Sequence, residues 1–244
     1  MPPMGGTRSR SGTLIQTHMA LILQIETATR SCSIALAQHG QVIALKEQNE
    51  ANIHASHITL FIEEVMKQAG KTLEELVAVA VSMGPGSYTG LRIGVSTAKG
   101  LCYALDKPLI AVSTLAAMAA AKKADAESKT LLCPMIDARR MEVYMAIYNQ
   151  DLSVIEPVKA QILDENTFET YSNTYRIHIF GDGAEKCKSL YQGAEFVFSS
   201  HINSAADLTD IALEKFRAQD FEDLAYFEPF YLKDFIATKP KDLC

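Results

Sequence analysis

The apolar run Leu21-Ile22-Leu23-Gln24-Ile25 predicts a buried strand that ends on an acid, Glu26. The turn Thr27-Ala28-Thr29-Arg30 follows. Cys32 to Ala37 then forms a second strand, and His39-Gly40 turns into a third over Val42 to Lys46. These lengths suit antiparallel hairpins. Ile58, Phe61, Ile62, Val65, Met66 and Ala69 recur at i, i+3, i+4, i+7, i+8 and i+11, which predicts an amphipathic helix from about His54 to Ala69. Gly70 ends it, and Leu60 falls off the apolar stripe. A strand over Val77 to Met83 leads into a Gly84-Pro85-Gly86 turn and a helix over Ser87 to Leu105. Pro108 to Val112 is a further strand.

The order then partly recurs. Leu131 to Ile136 is apolar and ends at Asp137, Ala138-Arg139-Arg140 turns, and Met141 to Tyr148 alternates as a strand. Val158 to Leu163 is the next strand. Ile177 to Phe180 is another, closed by Gly181-Asp182-Gly183, with a helix starting near Ala184 and a last one over about Ala205 to Ala218. Glu26 and Asp137 hold equivalent places: each is an acid at the end of a buried first strand, before a hairpin. A duplicated βββαβα unit with strand-end acids points to an α/β, two-lobed actin-like or Hsp70-like ATPase architecture. The expected division is an extension over 1–18, a first lobe over 19–112, and a second lobe over 113–244 whose last segment can pack back on the first.

Composition narrows the classes. The 244 residues carry a formal charge of -6, which argues against a free-standing nucleic-acid binder with a basic face. No apolar stretch approaches the roughly 20 residues of a membrane span. The five cysteines are odd in number and lie scattered without CxxC spacing, as expected of buried thiols in a reducing compartment. Residues 1–18 lack the apolar core of a secretory signal and read as a disordered extension or an expression remnant.

The candidate chemistry centres on Gly84 to Gly94. A helix start after a tight turn offers N–H groups to an anion, with Gly86 and Ser87 nearest. Ser87 is equally a natural N-cap, and no Lys follows as it would in a P-loop. Gly90, Gly94 and Ala98 repeat every four residues, a small-residue stripe that fits either the helix's own sheet or a partner helix. Glu26 and Thr27 could hold metal-bound water and phosphate, or Thr27 and Thr29 could bond their own turn. Tight phosphate approach favours a glycine, which the turn lacks. Asp137, Gly181 and Gly183 complete an anion or nucleotide site in vestigial form. His54 and His57 are three apart, not the i, i+4 spacing that puts two imidazoles on one helix face, and no metal site is expected. No GxSxG elbow marks a nucleophile, and no catalytic residue is assigned.

Four blocks in order resemble the bacterial TsaB family, the non-catalytic partner proteins in threonylcarbamoyladenosine modification of tRNA. They are Leu23 to Thr29, Gly84 to Gly94, Pro108 to Leu115, and Ile136 to Arg139 followed by Glu142-Val143-Tyr144. The C-terminal third matches only through Gly181 to Gly183 and Pro229 to Leu232. The sibling catalytic family, TsaD, carries an HxxxH metal motif after the strand equivalent to Pro108–Val112, where this chain has Thr114 and Met118.

The resemblance implies a two-lobed fold in the cytoplasm and a supporting role. TsaD would dock on the two first-lobe helices, with His57, Phe61, Gly90, Gly94, Thr97 and Ala98 expected at the interface. Self-pairing would use the same surface when TsaD is absent. It further implies recruitment of the TsaE ATPase, ATP or ADP held only at the interface of the complex, and indirect contact with tRNAs reading codons that begin with A. An independent ATP-using enzyme or peptidase is the alternative, and independent tRNA binding is a third.

Overall fold

The computed structural model describes residues 20–50 and 54–233. The proposed extension over 1–18 and the thiol of Cys244 lie outside them, as does the side chain of His54. Two five-stranded sheets carry the same connectivity. The first is built from β1 (Leu21–Glu26), β2 (Ser31–Gln38), β3 (Gln41–Asn49), β4 (Ala78–Gly84) and β5 (Leu109–Ser113), in the order β3-β2-β1-β4-β5. The second contains β6 (Thr130–Asp137), β7 (Glu142–Tyr148), β8 (Val154–Ile162), β9 (Arg176–Phe180) and β10 (Phe196–Ser199), in the order β10-β9-β6-β7-β8. In each, the first three strands form an antiparallel meander and the last two add in parallel. The fold is thus the actin-like duplication, with Glu26 and Asp137 at matching strand ends.

Helix α1 (His54–Gln68) and helix α2 (Tyr88–Leu105) cover one face of the first sheet. Ile58, Phe61, Ile62, Val65 and Met66 are all buried there, while Leu60 is 51% exposed. Gly70, at φ 63°, ends α1 in the left-handed region that suits a residue without Cβ. Ser87 caps α2, its Oγ accepting from Gly90 N at 3.2 Å.

The opposite face of the first sheet is also covered, which explains why β1, β2 and β4 read as continuous apolar runs rather than alternating ones. Leu208 and Ala212 pack there against Ile22, Ala80 and Ile110. They belong to a 3-10 turn (Ala205–Leu208) and a helix, Thr209–Ala218, where the pattern predicted one continuous helix. Helix α3 (Thr114–Lys122) begins directly after β5 on the cap Ser113 and was not predicted as an element. It joins the two sheets: Ala117 packs on the first, while Leu115, Met118 and Ala119 pack on Leu132, Ile136 and Phe180 of the second. Its residues are apolar on nearly every side, so it lacks the one-sided stripe that reveals a surface helix.

The second unit is a reduced copy. Between β8 and β9 it has only the four-residue helix α4 (Glu169–Ser172), and after β9 a 3-10 turn (Ala184–Cys187) in place of a long helix. The Thr209–Ala218 helix is α5. Cys32, Cys102, Cys133 and Cys187 are buried and unbridged. Burial raises each of their thiols, Cys32 to about 11 and Cys187 to about 12, which keeps them protonated and inert. Among the described residues, no helix is long and apolar enough to cross a membrane.

Candidate functional site

The β1–β2 turn and the loop Gly84 to Gly90 form one packed unit. Ser87 N donates to Ala28 O at 2.6 Å, and Thr27 Oγ1 donates to Gly90 O at 2.8 Å. A Cβ at Gly86 would overlap the Ala28 carbonyl oxygen, and one at Gly90 would overlap that of Thr27. A Cβ at Gly94 would overlap Thr27 Oγ1. These contacts correct the expectation that Gly90, Gly94 and Ala98 face a partner. All three are buried: Gly90 and Gly94, lacking side chains, let α2 sit directly on the chain's own first turn, and Ala98 packs in the core of the first sheet. Phe61 is likewise a core residue, 3% exposed, with Lys46 Nζ 5.4 Å from its ring centroid.

Glu26 is 1% exposed. Its Oε1 accepts from Ala28 N at 2.5 Å. Burial pushes its carboxyl up to about 8, partly opposed by the Ala28 N–H; the nearby charge of Asp207 raises it further, and the Ser82 hydroxyl lowers it. The strand-end acid is thus turned into its own turn, with little access for a hydrated metal. Gly86 and Ser87 use the loop as a joint: both the Ser87 N–H and the Gly90 N–H bond within the chain.

The second half-site is more open. Asp137 is exposed; its Oδ1 accepts from Arg139 N at 2.6 Å and from Lys186 Nζ at 2.7 Å. Asp137 N donates to Asp182 Oδ1 at 2.9 Å, and Gly183 N to Met135 O at 3.2 Å. Gly181 adopts φ 103°, and a Cβ there would overlap the Met135 carbonyl oxygen. The structure thus brings Asp137, Gly181 and Gly183 together at the ends of β6 and β9. Burial raises the Asp182 carboxyl and Asp137 adds to it, while the Asp137 N–H, Arg30 and Lys186 lower it. Arg30 in the first turn thus feels the second half-site electrostatically. Asp182, Lys186 and Arg30 were not assigned from sequence. Lys186 and Asp137 are 49 positions apart, and no local pattern pairs them.

Thr114 and Met118 lie one turn apart on α3, both fully buried. Thr114 Oγ1 has no hydrogen-bond partner, and Met118 Cε would meet a Cβ at Gly181. These positions form core between the two sheets. Among the described residues, no group of three or more His, Cys, Asp or Glu side chains could hold a metal ion.

The outward side of α1 and α2 carries an apolar groove of about 510 Å³, lined by Ile62, Met66, Leu73, Thr97 and Leu101 with Lys67 and Lys71 at its rim. Of the expected interface residues, Thr97 lines this groove; half-buried His57 does not, its ring meeting Phe61 edge-on at 5.6 Å.

Against known proteins, the sequence model of the family described as "TsaD: tRNA N6-adenosine threonylcarbamoyltransferase" matches residues 41–244. The Escherichia coli K12 protein named tRNA threonylcarbamoyladenosine biosynthesis protein TsaB is 32% identical over 226 residues, covering 89% of this chain and 96% of that one. The chain belongs to the TsaB family. The Bacillus subtilis protein of the same name is 34% identical over 56% of this chain and 58% of its own. The solved structure titled "YeaZ from Pseudomonas aeruginosa" superposes with a TM-score of 0.75 at 25% identity, covering 88% of this chain and all of that one. The fold alone is shared with component A of an Acidaminococcus fermentans 2-hydroxyglutaryl-CoA dehydratase, at a TM-score of 0.51 and 9% identity.

Proposed function

We propose that this chain is a non-catalytic subunit in the formation of N6-threonylcarbamoyladenosine on tRNAs reading codons that begin with A. It scaffolds and activates a TsaD-type transferase and helps recruit a TsaE-type ATPase. The observation that carries this reading is the apolar groove between α1 and α2. It is a concave surface on α1 and α2, and the close approach of Gly90 to Thr27 seats α2 on the first turn. A surface of this kind suits a helix of another chain. The family membership and the relatives' names supply the reaction.

The acids support a subunit that leaves the transfer chemistry to its partner. Glu26 is buried and bonded to Ala28 N, and Asp137 is paired with Lys186. Any ATP or ADP belongs at the interface of the complex, and self-pairing through the same groove occupies it when the transferase is absent.

The test is reconstitution. The chain should restore modification with the transferase and do nothing alone. Thr97→Trp would fill the groove and Thr59→Arg would place a charge among its lining residues. Each should cut transferase binding at least about tenfold, the equivalent of roughly 1.4 kcal/mol, while leaving the melting temperature unchanged. Native affinity in both variants would move the interface elsewhere. Turnover of ATP by the lone chain would favour an independent enzyme instead.

A further inference from the structure

The side of α2 turned away from the groove carries a second cleft, of about 390 Å³, whose other wall is the segment 227–231. Tyr88, Arg92, Ser96, Lys99 and Tyr103 follow at i, i+4, i+8, i+11 and i+15, so the 3.6-residue period puts them on one helix face. Arg92 lies over the Tyr88 ring at 5.2 Å and donates to Tyr88 Oη at 3.0 Å. Tyr231 tilts against Tyr88 at 4.9 Å. Lys99 Nζ donates to the carbonyls of Phe227 at 2.9 Å and Ala225 at 3.4 Å, which places Tyr226 beside it. Tyr103 and Tyr226 are 83% and 84% exposed, the most exposed of the large apolar and aromatic side chains described.

Arg92, Lys99, Tyr88 and Tyr231 therefore line one cleft of a chain whose net charge is -6, with Glu228 the one acid among the lining residues. Tyr103 lies one turn beyond Lys99 on the same helix face, and Tyr226 lies on the segment that Lys99 holds, where the Asp223 carboxylate accepts from its N–H. Exposed rings next to an Arg and a Lys form the combination that binds single-stranded nucleic acid: bases stack on the rings while phosphates meet the cations. We propose that this cleft and the helix face that continues it contact a single-stranded segment of RNA, with Tyr103 and Tyr226, at the edge of the cleft, as stacking surfaces and Arg92 and Lys99 as phosphate contacts. The inference rests on the tRNA-modification reading above and assigns it a surface separate from the α1–α2 groove.

Fluorescence anisotropy tests it with a labelled oligoribonucleotide of about ten nucleotides. Saturable binding is expected at low salt. Two phosphate contacts should give a slope of log K against log[salt] near -1.4, about 0.7 per contact. Tyr103→Ala and Arg92→Ala should each weaken binding about fivefold or more. Lys99 also holds the 225–227 segment, so Lys99→Ala is read together with its melting curve, and Tyr103→Ala carries the decision. No binding by the native chain, or equal binding by Tyr103→Ala and Arg92→Ala, overturns the proposal. So does loss of transferase binding by Tyr103→Ala in the absence of RNA, which would assign the cleft to a protein. If the chain restores modification in the reconstituted system while Tyr103→Ala leaves the KM for tRNA unchanged, this inference fails and the subunit reading stands. If the oligoribonucleotide binds as expected but modification is not restored, the subunit reading fails instead.

Discussion

Replacing Glu26 by Gln isolates the cost of burying an acid at the end of β1. The isostere keeps an Oε1 acceptor for the Ala28 N–H but cannot ionise. In the folded chain the carboxyl titrates at about 8, against an ordinary value of 4.5, chiefly because burial disfavours the charged form. An acid whose folded value is raised leaves stability intact below the unfolded value and removes it as pH rises through the folded one. The window therefore runs from about pH 4.5 to about pH 8. At roughly 1.4 kcal/mol per tenfold change in proton affinity, the loss is about 3 kcal/mol at pH 7 and approaches about 5 kcal/mol above pH 8. That is a large share of the total for a domain of ordinary stability. Urea unfolding followed by circular dichroism, from about pH 5 to about pH 9, measures it for both proteins. Groups that do not interact with Glu26 act equally on both and cancel in the difference; Asp207 and Cys32, which do interact with it, are part of the measured effect. The Glu26→Gln variant should match the native chain near pH 5 and exceed it increasingly above pH 6. Parallel stability curves would refute the reasoning, and show that the carboxylate is solvated in the native state.

Two further perturbations address helix α2. Gly94→Ala and Gly90→Ala should each destabilise by about 1–3 kcal/mol through overpacking, read as a lower urea midpoint. Thr27→Ala should partly rescue Gly94→Ala, whose Cβ meets a hydroxyl, but not Gly90→Ala, whose Cβ meets a backbone carbonyl; equal rescue would show that the turn moves as a whole. Gly100 has open space where a Cβ would be added, so Gly100→Ala should stabilise the helix interior by about 0.5–1 kcal/mol, raising the melting temperature.

The strand-end acids and the repeat of strand–turn–strand units were legible because each rests on local signals: apolar runs, turn residues and a strand terminus. The α1 stripe was legible for the same reason, down to the exposure of Leu60. The joining helix α3 was missed because burial on nearly all sides erases amphipathic periodicity. The small-residue stripe was visible, but its direction was not. Spacing alone cannot say whether Gly90 and Gly94 accommodate another chain or the chain's own Thr27, some 63 residues earlier.

The sequence by itself determined most of the elements, their duplication and the family, because periodicity, turn chemistry and motif order are written in neighbouring residues; it did not show α3 or β10, and the helix expected near Ala184 is a 3-10 turn. Only the tertiary structure decided what those features face. It turned Glu26 inward, set Lys186 on Asp137, buried Thr114 and Met118 between the sheets, and left the α1–α2 groove and the Arg92–Lys99 cleft on opposite sides of one helix. The reason is physical: burial and charge pairing depend on contacts between distant segments, and these exist only once the two sheets have packed against α3.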